Sequence, residues 1–397
     1  MAHQLSRRRL LAGAAGVTLA PGAAAGAVAT PLPGAAAGAV ATLLPGAAAA
    51  AAAPSPALPS RADILAVLRR VNDQWIGAHG NPGDNQWARA AYFSGNMALY
   101  RATTDARYLG YAQRWAEQNN YAIHNGVATR HADDHMAGQV YYDLNDIAPD
   151  PAKVGAINES IRRMVYSSSL PTKADDWWWV DALHMAMPVF VRVARATGDD
   201  AYLRKLWALY TDTKKSRALY DYTYELWHRD GDAKNARSPG GKPVFWSRGN
   251  GWAIAAHAKV LGLWPGIDGR WPEYRYNIQG LARSLAKSQR TDGFWNVNLA
   301  DPSHLPGPET SGTAFFVFGL AYGVRTGVLD RATSLPVAAR AWNGMVATAV
   351  HPDGFLGYVQ GVGYAPESSQ PVTTNSTADF GVGGFLLAGT ELAKLAS

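Results

Sequence analysis

Residues 175–188, with the sequence DDWWWVDALHMAMP, combine acidic side chains with three consecutive tryptophans and continue as an apolar helical pattern. Flat aromatic faces beside a carboxylate suit a pyranose, which offers a face of C–H bonds and a rim of hydroxyl groups. Leu183, Met187 and Val191 recur at helical spacing, which places Asp181 in the first turn of a helix. The helix dipole lowers the pKa of an acid there, whereas a water-poor aromatic wall raises it. The stretch predicts either a general acid or a helix cap with packing tryptophans.

A second acidic stretch lies at residues 131–139, with the sequence HADDHMAGQ. It places Asp133 and Asp134 directly before another predicted helix, where a carboxylate either caps the helix or serves as a second catalytic acid. The same cluster with His135, or Asp181 with His184, is also compatible with a metal site. Because histidines are few and the candidate motifs as a group are rich in tryptophan, we predict no metal and no cofactor.

The third stretch, residues 245–252 with the sequence FWSRGNGW, places an arginine among aromatic residues. Glycines on both sides of Asn250 predict a tight turn. The Arg248 guanidinium, flanked by Trp246 and Trp252, matches a carboxylate with two parallel hydrogen bonds. The turn therefore predicts a site for an acidic sugar, with a cation–π stack at a helix start as the alternative.

Two further stretches carry candidate polar residues. Residues 309–314 (ETSGTA) place an acid, hydroxyl groups and a glycine ahead of a helix, so that Thr310 or Ser311 is expected to cap it. Glu309 is then available to support the site. Residues 226–230 (LWHRD) contain His228 between charged neighbours, and this histidine is either structural or part of the site.

The first 53 residues are rich in Ala, Gly and Pro and contain no acidic residue. Residues 32–42 nearly repeat residues 20–30, and such sequence cannot build a packed core. Residues 6–9 (SRRR) precede small and apolar residues, which predicts a twin-arginine export signal, with an ordinary secretory signal as the alternative. We divide the chain into this signal and leader at 1–53 and a catalytic domain at 54–397, and expect a secreted or cell-envelope protein.

The composition excludes several classes of protein. The leader holds three arginines and no acid, so its removal lowers the formal net charge from +6 to +3 and the basic pI does not indicate nucleic-acid binding. The absence of cysteine rules out disulfides and thiolate metal sites. The catalytic domain contains no run of about 18 apolar residues, so we expect no membrane span there.

Helical periodicity dominates the catalytic domain. A capping box at 60–63 begins the first helix, and Asp134, Asp181 and His228 follow one another at intervals of 47 residues, which is the length of a helical hairpin. The other predicted helices are 87–103, 105–119, 135–147, 151–166, 181–197, 199–213, 250–263, 272–289, 311–326, 332–350 and 377–395, with strand-like pieces at 294–298 and 355–359. Six hairpins of about 55 residues fill the domain. We predict an all-α, (α/α)6 toroid (a six-hairpin barrel) rather than an open α-solenoid, because polar and aromatic loops gather on one rim.

These motifs together resemble glycoside hydrolase families 88 and 105, the unsaturated glucuronyl and rhamnogalacturonyl hydrolases, with family 105 the nearer. The resemblance spans about 87–387 and is most specific at 179–183 (WVDAL), 246–252 (WSRGNGW) and 309–314 (ETSGTA). It implies an (α/α)6 barrel that releases a 4,5-unsaturated uronic acid from the non-reducing end of lyase-generated oligosaccharides, such as those of pectic rhamnogalacturonan. The reaction it implies is hydration of the vinyl ether, after which the unstable product releases the remaining sugar.

The resemblance also implies roles for individual residues. Asp181 would be the general acid and base, and the second aspartate of the family falls on the Asp133–Asp134 pair, where we favour Asp134. The implied substrate contacts are stacking by Trp179 and Trp252, contacts of Arg248 and His228 with the uronate or its neighbour, and further contacts from Asp133, Trp246 and Trp87.

Three other functions stay open at this point. A non-catalytic glycan-binding protein would use the same aromatic residues without needing paired acids. An inverting glycosidase of the same fold would act on saturated glycosides with Asp134 as base and Asp181 as acid. A sugar epimerase of similar build would need a pair of histidines for proton transfer. The expected partner is an acidic oligosaccharide, and neither the sugar next to the uronate nor the oligomeric state follows from the sequence.

Overall fold

A computed structural model of the chain describes residues 56–167, 172–264 and 269–397. The export signal and leader lie outside these residues and stay predictions. The helices are α1 (Arg61–Ala78), α2 (Trp87–Thr103), α3 (Ala106–Gln118), α4 (Ala132–His135), α5 (Ala137–Ile147), α6 (Pro151–Tyr166), α7 (Ala182–Thr197), α8 (Ala201–Thr211), α9 (Gly231–Asn235), α10 (Ser247–Leu263), α11 (Trp271–Ser288), α12 (Thr310–Arg325), α13 (Arg331–Thr348) and α14 (Asp379–Leu392). The twelve predicted long helices are therefore confirmed within a few residues at each end.

Local capping explains where several helices begin and end. The Ser60 hydroxyl accepts a hydrogen bond from the Asp63 backbone N–H at 3.1 Å, which confirms Ser60 as the N-cap of α1. The Asp63 carboxylate accepts from the Ser60 hydroxyl at 2.6 Å, so only one half of the predicted capping box forms. Pro151 occupies the first turn of α6, where its missing N–H costs nothing. Gly198 ends α7 with a φ of 71°, a left-handed conformation that glycine adopts without strain.

Six helices form an inner ring and six form an outer ring. The inner helices α2, α5, α7, α10, α12 and α14 each contact the next, and α14 contacts α2 to close the ring. The outer helices α1, α3, α6, α8, α11 and α13 pack against the inner helices. In α12 every residue except the last is buried, as expected for a helix surrounded by protein. The (α/α)6 barrel is thus confirmed.

Extended structure is confined to short connections in the described residues. A two-stranded antiparallel hairpin pairs β1 (Tyr220–Asp221) with β2 (Leu226–Trp227). The two strand-like pieces predicted from the sequence form only single bridges, between Trp246 and Asn298 and between Val350 and Leu356. The first piece thus meets the connection before α10 and the second pairs within its own connection, and neither forms a sheet.

Glycines bring the first turns of neighbouring inner helices close together. Helix α10 already begins at Ser247, so the tight turn predicted around Asn250 is wrong, and the flanking glycines lie inside the helix. A Cβ atom on Gly312 of α12 would lie 2.9 Å from Ser247, and one on Gly251 would lie 3.0 Å from Phe315. These glycines therefore serve close helix packing, which gathers the N-terminal ends of the inner helices at one end of the barrel.

No helix in the described parts of the chain has both the length and the hydropathy that a membrane crossing requires.

Candidate active site

Asp181 lies at the N-cap position of α7, but its side chain makes no capping hydrogen bond. Its Oδ1 atom is buried and has no hydrogen-bond partner in the described residues. Burial raises the pKa of this carboxyl, and the nearby positive charges of Arg229 and Arg248 oppose the shift. A Cβ atom on Gly249 would lie 3.6 Å from Oδ1, so the start of α10 forms the wall beside the acid. Because this oxygen is buried and has no partner, the Asp181 carboxyl is a candidate for proton transfer.

The two aspartates of α4 differ in their surroundings. Asp134 accepts hydrogen bonds from the Thr129 hydroxyl at 2.5 Å and from the Asn125 amide at 3.2 Å, so its carboxylate is engaged within its own loop. Asp133 makes no such bonds among the described residues. Burial first, and then the negative charge of Asp181, raise the pKa of Asp133 to about 7. The geometry therefore favours Asp133, rather than the predicted Asp134, as the partner of Asp181.

Arg229 links the two carboxyls to the rim of the barrel. Its positive charge opposes the rise in the pKa of both Asp133 and Asp181. Its backbone oxygen accepts a hydrogen bond from the Val180 N–H at 2.8 Å. Its guanidinium pairs with Asp230 at 2.5 Å, while its Nε atom is buried without a partner. The sequence pattern predicted its neighbour His228 as a site residue. A local pattern does not show which of two adjacent side chains faces the site.

Arg248 is held between two aromatic rings. Its guanidinium carbon lies 4.4 Å from the centre of the Trp246 ring and 4.9 Å from that of Phe380. Its Nη1 atom donates to the Gln360 backbone oxygen at 2.7 Å. Burial lowers the pKa of Arg248 to about 10, so it stays cationic at neutral pH. The predicted cation–π stack is thus present, and the positive charge of the stacked guanidinium also acts on Asp181.

Glu309, and not Thr310 or Ser311, caps α12. Its fully buried carboxylate accepts hydrogen bonds from the N–H groups of Ser311 at 2.9 Å and Gly312 at 2.7 Å. It also accepts from the Ser311 hydroxyl at 2.6 Å and from the Gln360 N–H at 3.2 Å. Because Gln360 in turn holds Arg248, the cap of α12 fixes the position of that guanidinium.

We expect Glu309→Ala to destabilise the protein by about 3 kcal/mol, because four buried donors lose their acceptor. Thermal unfolding of the variant measures this loss. Thr326→Ala, which removes a single partly buried hydroxyl bonded to Tyr322 at the other end of α12, is the matched control and should cost about 1 kcal/mol. Equal losses for the two variants would contradict the role assigned to the carboxylate.

The three consecutive tryptophans have different environments. Trp177 is buried against Phe190, with ring centres 5.7 Å apart, so it is a packing residue. Trp179 is also buried, and it stacks on His131 with ring centres 4.7 Å apart. Trp178 is 42% exposed and lies 5.4 Å from the Arg229 guanidinium carbon. The ring that offers a free face to a sugar is therefore Trp178, and this revises the stacking role predicted for Trp179.

Three other predicted aromatic contacts need a similar correction. Trp252 is only 1% exposed and packs on Phe315 with ring centres 4.2 Å apart, so it presents no face to a ligand. Trp246 is buried beneath Arg248 and donates from Nε1 to the Gln360 side chain at 2.8 Å. Trp87, which is partly buried at the start of α2, stacks on Phe380 with ring centres 5.3 Å apart. Trp252 and Trp246 are therefore packing residues, whereas the predicted contact of the partly exposed Trp87 with the substrate stays a prediction.

His228 lies apart from the two carboxyls. It stacks on Phe245 with ring centres 4.5 Å apart, and its Nδ1 atom is 3.4 Å from the Val244 backbone oxygen. Its nearest acid is Asp221, at 3.8 Å from Nε2. The structure therefore does not bring His228 to the two carboxyls, whereas its neighbour Arg229 acts on both of them.

The geometry describes a carbohydrate-processing site: two carboxyls with raised pKa, two arginines and a rim of aromatic rings on an (α/α)6 barrel. Within residues 56–167, 172–264 and 269–397, no three His, Asp or Glu side chains are placed to hold a metal ion. This class of site belongs to glycoside hydrolases.

Comparison with known proteins identifies the family. The model of Glycosyl Hydrolase Family 88 matches residues 66–396, and the chain belongs to this family. An unsaturated 3S-rhamnoglycuronyl hydrolase of Formosa agariphila is 31% identical over 326 residues, covering 78% of this chain and 84% of the relative. A protein of the same description from an Alteromonas species is 31% identical over 330 residues, covering 77% of each chain.

Solved structures agree with this assignment. A family 88 glycosyl hydrolase from Bacteroides vulgatus superposes with a TM-score of 0.79 at 36% identity, covering 85% of this chain and 99% of that one. The resemblance to families 88 and 105 is thus confirmed, although the model that matches is that of family 88 and not of family 105, which was predicted to be the nearer, and the protein is a glycoside hydrolase. The roles assigned to individual residues stay predictions.

Proposed function

We propose that this protein removes a 4,5-unsaturated uronic acid from the non-reducing end of lyase-generated oligosaccharides in which the next sugar is a rhamnose. The family and both curated relatives support an unsaturated uronyl substrate, and the names of those relatives support rhamnose as its neighbour. The observation that carries the proposal is the buried, unpartnered Oδ1 atom of the Asp181 carboxyl, whose charge acts on Asp133 and which lies near the charge of Arg229.

The chemistry follows from the two carboxyls. Burial and mutual repulsion let the pair hold about one proton at neutral pH, because the pKa of Asp133 is raised to about 7 by burial and by the charge of Asp181. Asp181 receives the proton of the pair and gives it to C4 of the vinyl ether. The resulting carboxylate takes a proton from a water molecule, whose oxygen adds to C5. One acid thereby serves both steps, and the hydrated sugar rearranges to release the aglycone.

Arg229 supplies the positive charge that an acidic sugar needs. Its Nε–H is buried and has no acceptor in the described residues, so a ligand carboxylate would satisfy it. Trp178 and Tyr364, both exposed, lie 5.4 and 5.7 Å from its guanidinium carbon and can cover the sugar faces. The Gln360 backbone oxygen fixes the position of Arg248. The positive charge of Arg248 also acts on Asp181.

The function is tested by following the ultraviolet absorbance of the conjugated uronate. The substrates are unsaturated uronyl-rhamnose disaccharides, with and without a sulfate group on the rhamnose, and the products of lyase-digested rhamnogalacturonan. We expect the absorbance to fall equally with and without EDTA. Unchanged absorbance on every unsaturated substrate, with turnover of a saturated glycoside instead, would replace the proposal with an inverting glycosidase.

We expect Arg229→Met to raise KM by about 10- to 100-fold, with a smaller effect on kcat, because the variant loses a charge-assisted contact with the carboxylate. The measurement is steady-state kinetics on the preferred disaccharide. Arg237→Met is the control, since Arg237 is an exposed arginine of the neighbouring connection that donates only to backbone oxygens in the described residues. An unchanged KM in Arg229→Met would remove this residue from the binding site.

A further inference from the structure

A second cavity lies at the other end of the barrel from the two carboxyls. Its volume is about 470 Å³, which is within the range of small-molecule sites. It is lined mainly by the second halves of the inner helices, including Ala98 of α2, Arg192 of α7 and Tyr322 of α12, and Gln139 reaches it from the first turn of α5. None of Asp133, Asp181 and Arg229 lines this cavity, so the two sites are separate.

Cationic side chains dominate the lining of this cavity. It is lined by six cations and only two carboxylates, namely Arg61, Arg101, Arg192, Lys259, Arg325 and Lys394 against Asp143 and Glu391. Each carboxylate is already shared by two of the cations. Arg101 and Arg192 both contact Asp143 at 2.9 Å, and Arg325 and Lys394 contact Glu391 at 2.5 and 2.6 Å. Asp146, which lies outside the lining, also pairs with Arg192 at 2.7 Å and with Arg101 at 3.6 Å. Six cations thus face three carboxylates, and an excess of positive charge remains.

Lys259 places an ammonium group deep within this cavity. Its Nζ donates to the Ser94 hydroxyl at 2.6 Å and to the Gln139 side-chain oxygen at 2.8 Å, both neutral acceptors on other inner helices. No carboxylate in the described residues lies within ion-pair distance of it. Burial lowers the pKa of Lys259 to about 8, although the charge of Asp143 opposes the shift. An ammonium has three donors, so one of them is left for a ligand in the cavity.

We propose that this cavity is a second binding site, which takes a small organic anion of one or two sugar rings in size, with carboxylate or sulfate groups directed at Lys259. The excess charge selects an anion, and the volume admits more than an inorganic ion. The proposal goes beyond the hydrolase function and does not depend on it. Arg61 completes the site at its mouth. This residue is exposed, and among the described residues its guanidinium donates only to the Ala102 oxygen.

Cations near the C-terminal ends of helices also stabilise the helix dipoles without any ligand. The two explanations differ in one respect. If these cations only stabilise the helix dipoles, the protein should bind neither an organic anion nor a neutral sugar at equal ionic strength. If the cavity is a binding site, the protein should bind the anion and not the sugar.

The first test is calorimetric titration of the whole protein with citrate, and with glucose as the neutral control. We expect citrate to bind to the native protein and to Arg229→Met, and to bind Lys259→Met at least about tenfold more weakly. Binding that is lost in Arg229→Met but kept in Lys259→Met would place the anion in the catalytic site and overturn the proposal. Arg61→Gln, an exposed change that leaves the barrel core intact, serves if Lys259→Met does not fold, and it should weaken citrate binding as well.

The second test needs no variant. Crystals of the native protein are soaked in selenate, whose selenium gives an anomalous signal. A peak within hydrogen-bond distance of the Lys259 Nζ atom is expected. Peaks confined to the surface or to Arg229 and Arg248 would show that the cavity does not select anions, and would overturn the proposal.

Discussion

Replacement of Asp181 by asparagine is expected to lower kcat by at least about 100-fold while leaving the fold intact. The amide has nearly the shape of the carboxyl but cannot transfer a proton to C4 or receive one from water. The N-cap position of Asp181 carries no side-chain hydrogen bond, so the substitution removes no capping interaction. The absorbance assay on the preferred disaccharide measures the rate, and thermal unfolding measures the stability.

The matched control for this prediction is Asp176→Asn. Asp176 lies in the same connection, but its carboxylate pairs with Arg130 at 2.6 Å and does not face the site. We expect this variant to lose stability and to keep a kcat near that of the native protein. An Asp181→Asn variant with native turnover would show that another group supplies the proton.

Replacement of Asp133 by asparagine is expected to shift the pH dependence of kcat/KM. Asp133 and Asp181 repel each other when both are charged, and this repulsion helps to keep one proton on the pair up to a pH of about 7. Asp133 is the group that keeps this proton, because burial and the negative charge of Asp181 raise its pKa, and its replacement leaves only Asp181, which ionises before it. The alkaline limb of the profile should therefore move to lower pH by about one unit, with a lower maximum rate.

The same substitution is expected to stabilise the protein above neutral pH. The pKa of Asp133 is raised from 3.8 in the unfolded chain to about 7 in the folded protein. The contribution of this carboxyl to the free energy of folding is therefore most favourable below pH 4, where it is neutral in both states. The contribution becomes unfavourable as the pH rises to about 7. At pH 8 the charged side chain costs up to about 4 kcal/mol at 1.36 kcal/mol per pKa unit, less an allowance for its partial exposure. Unfolding of Asp133→Asn at pH 4 and pH 8 should show a gain only at pH 8.

Asp134→Asn separates the two aspartates of α4. The hydrogen bonds of Asp134 to Thr129 and Asn125 predict a loss of about 1–3 kcal/mol in stability, without a shift in the pH profile. If Asp134→Asn moved the alkaline limb of the pH profile and Asp133→Asn did not, Asp134 would be the second acid, as predicted from the sequence.

The sequence by itself determined the helices, the number of hairpins and the family. Helix bounds follow from periodicity and caps such as Ser60, which act within a few residues of the chain. The motifs around Asp181, Arg248 and Glu309 lie at the start of inner helices, so their place at one end of the barrel also followed once the hairpins were counted.

Only the tertiary structure decided which side chains at that end meet. Asp133 and Asp134 are adjacent, as are His228 and Arg229, and local patterns do not determine which of two neighbours points inward. The contacts of Asp134 with Thr129 and the stacking of His228 on Phe245 depend on how whole connections fold back. The burial of Trp252 and the cationic cavity around Lys259 arise only when six helices close into a ring, because their partners come from helices far apart in the chain.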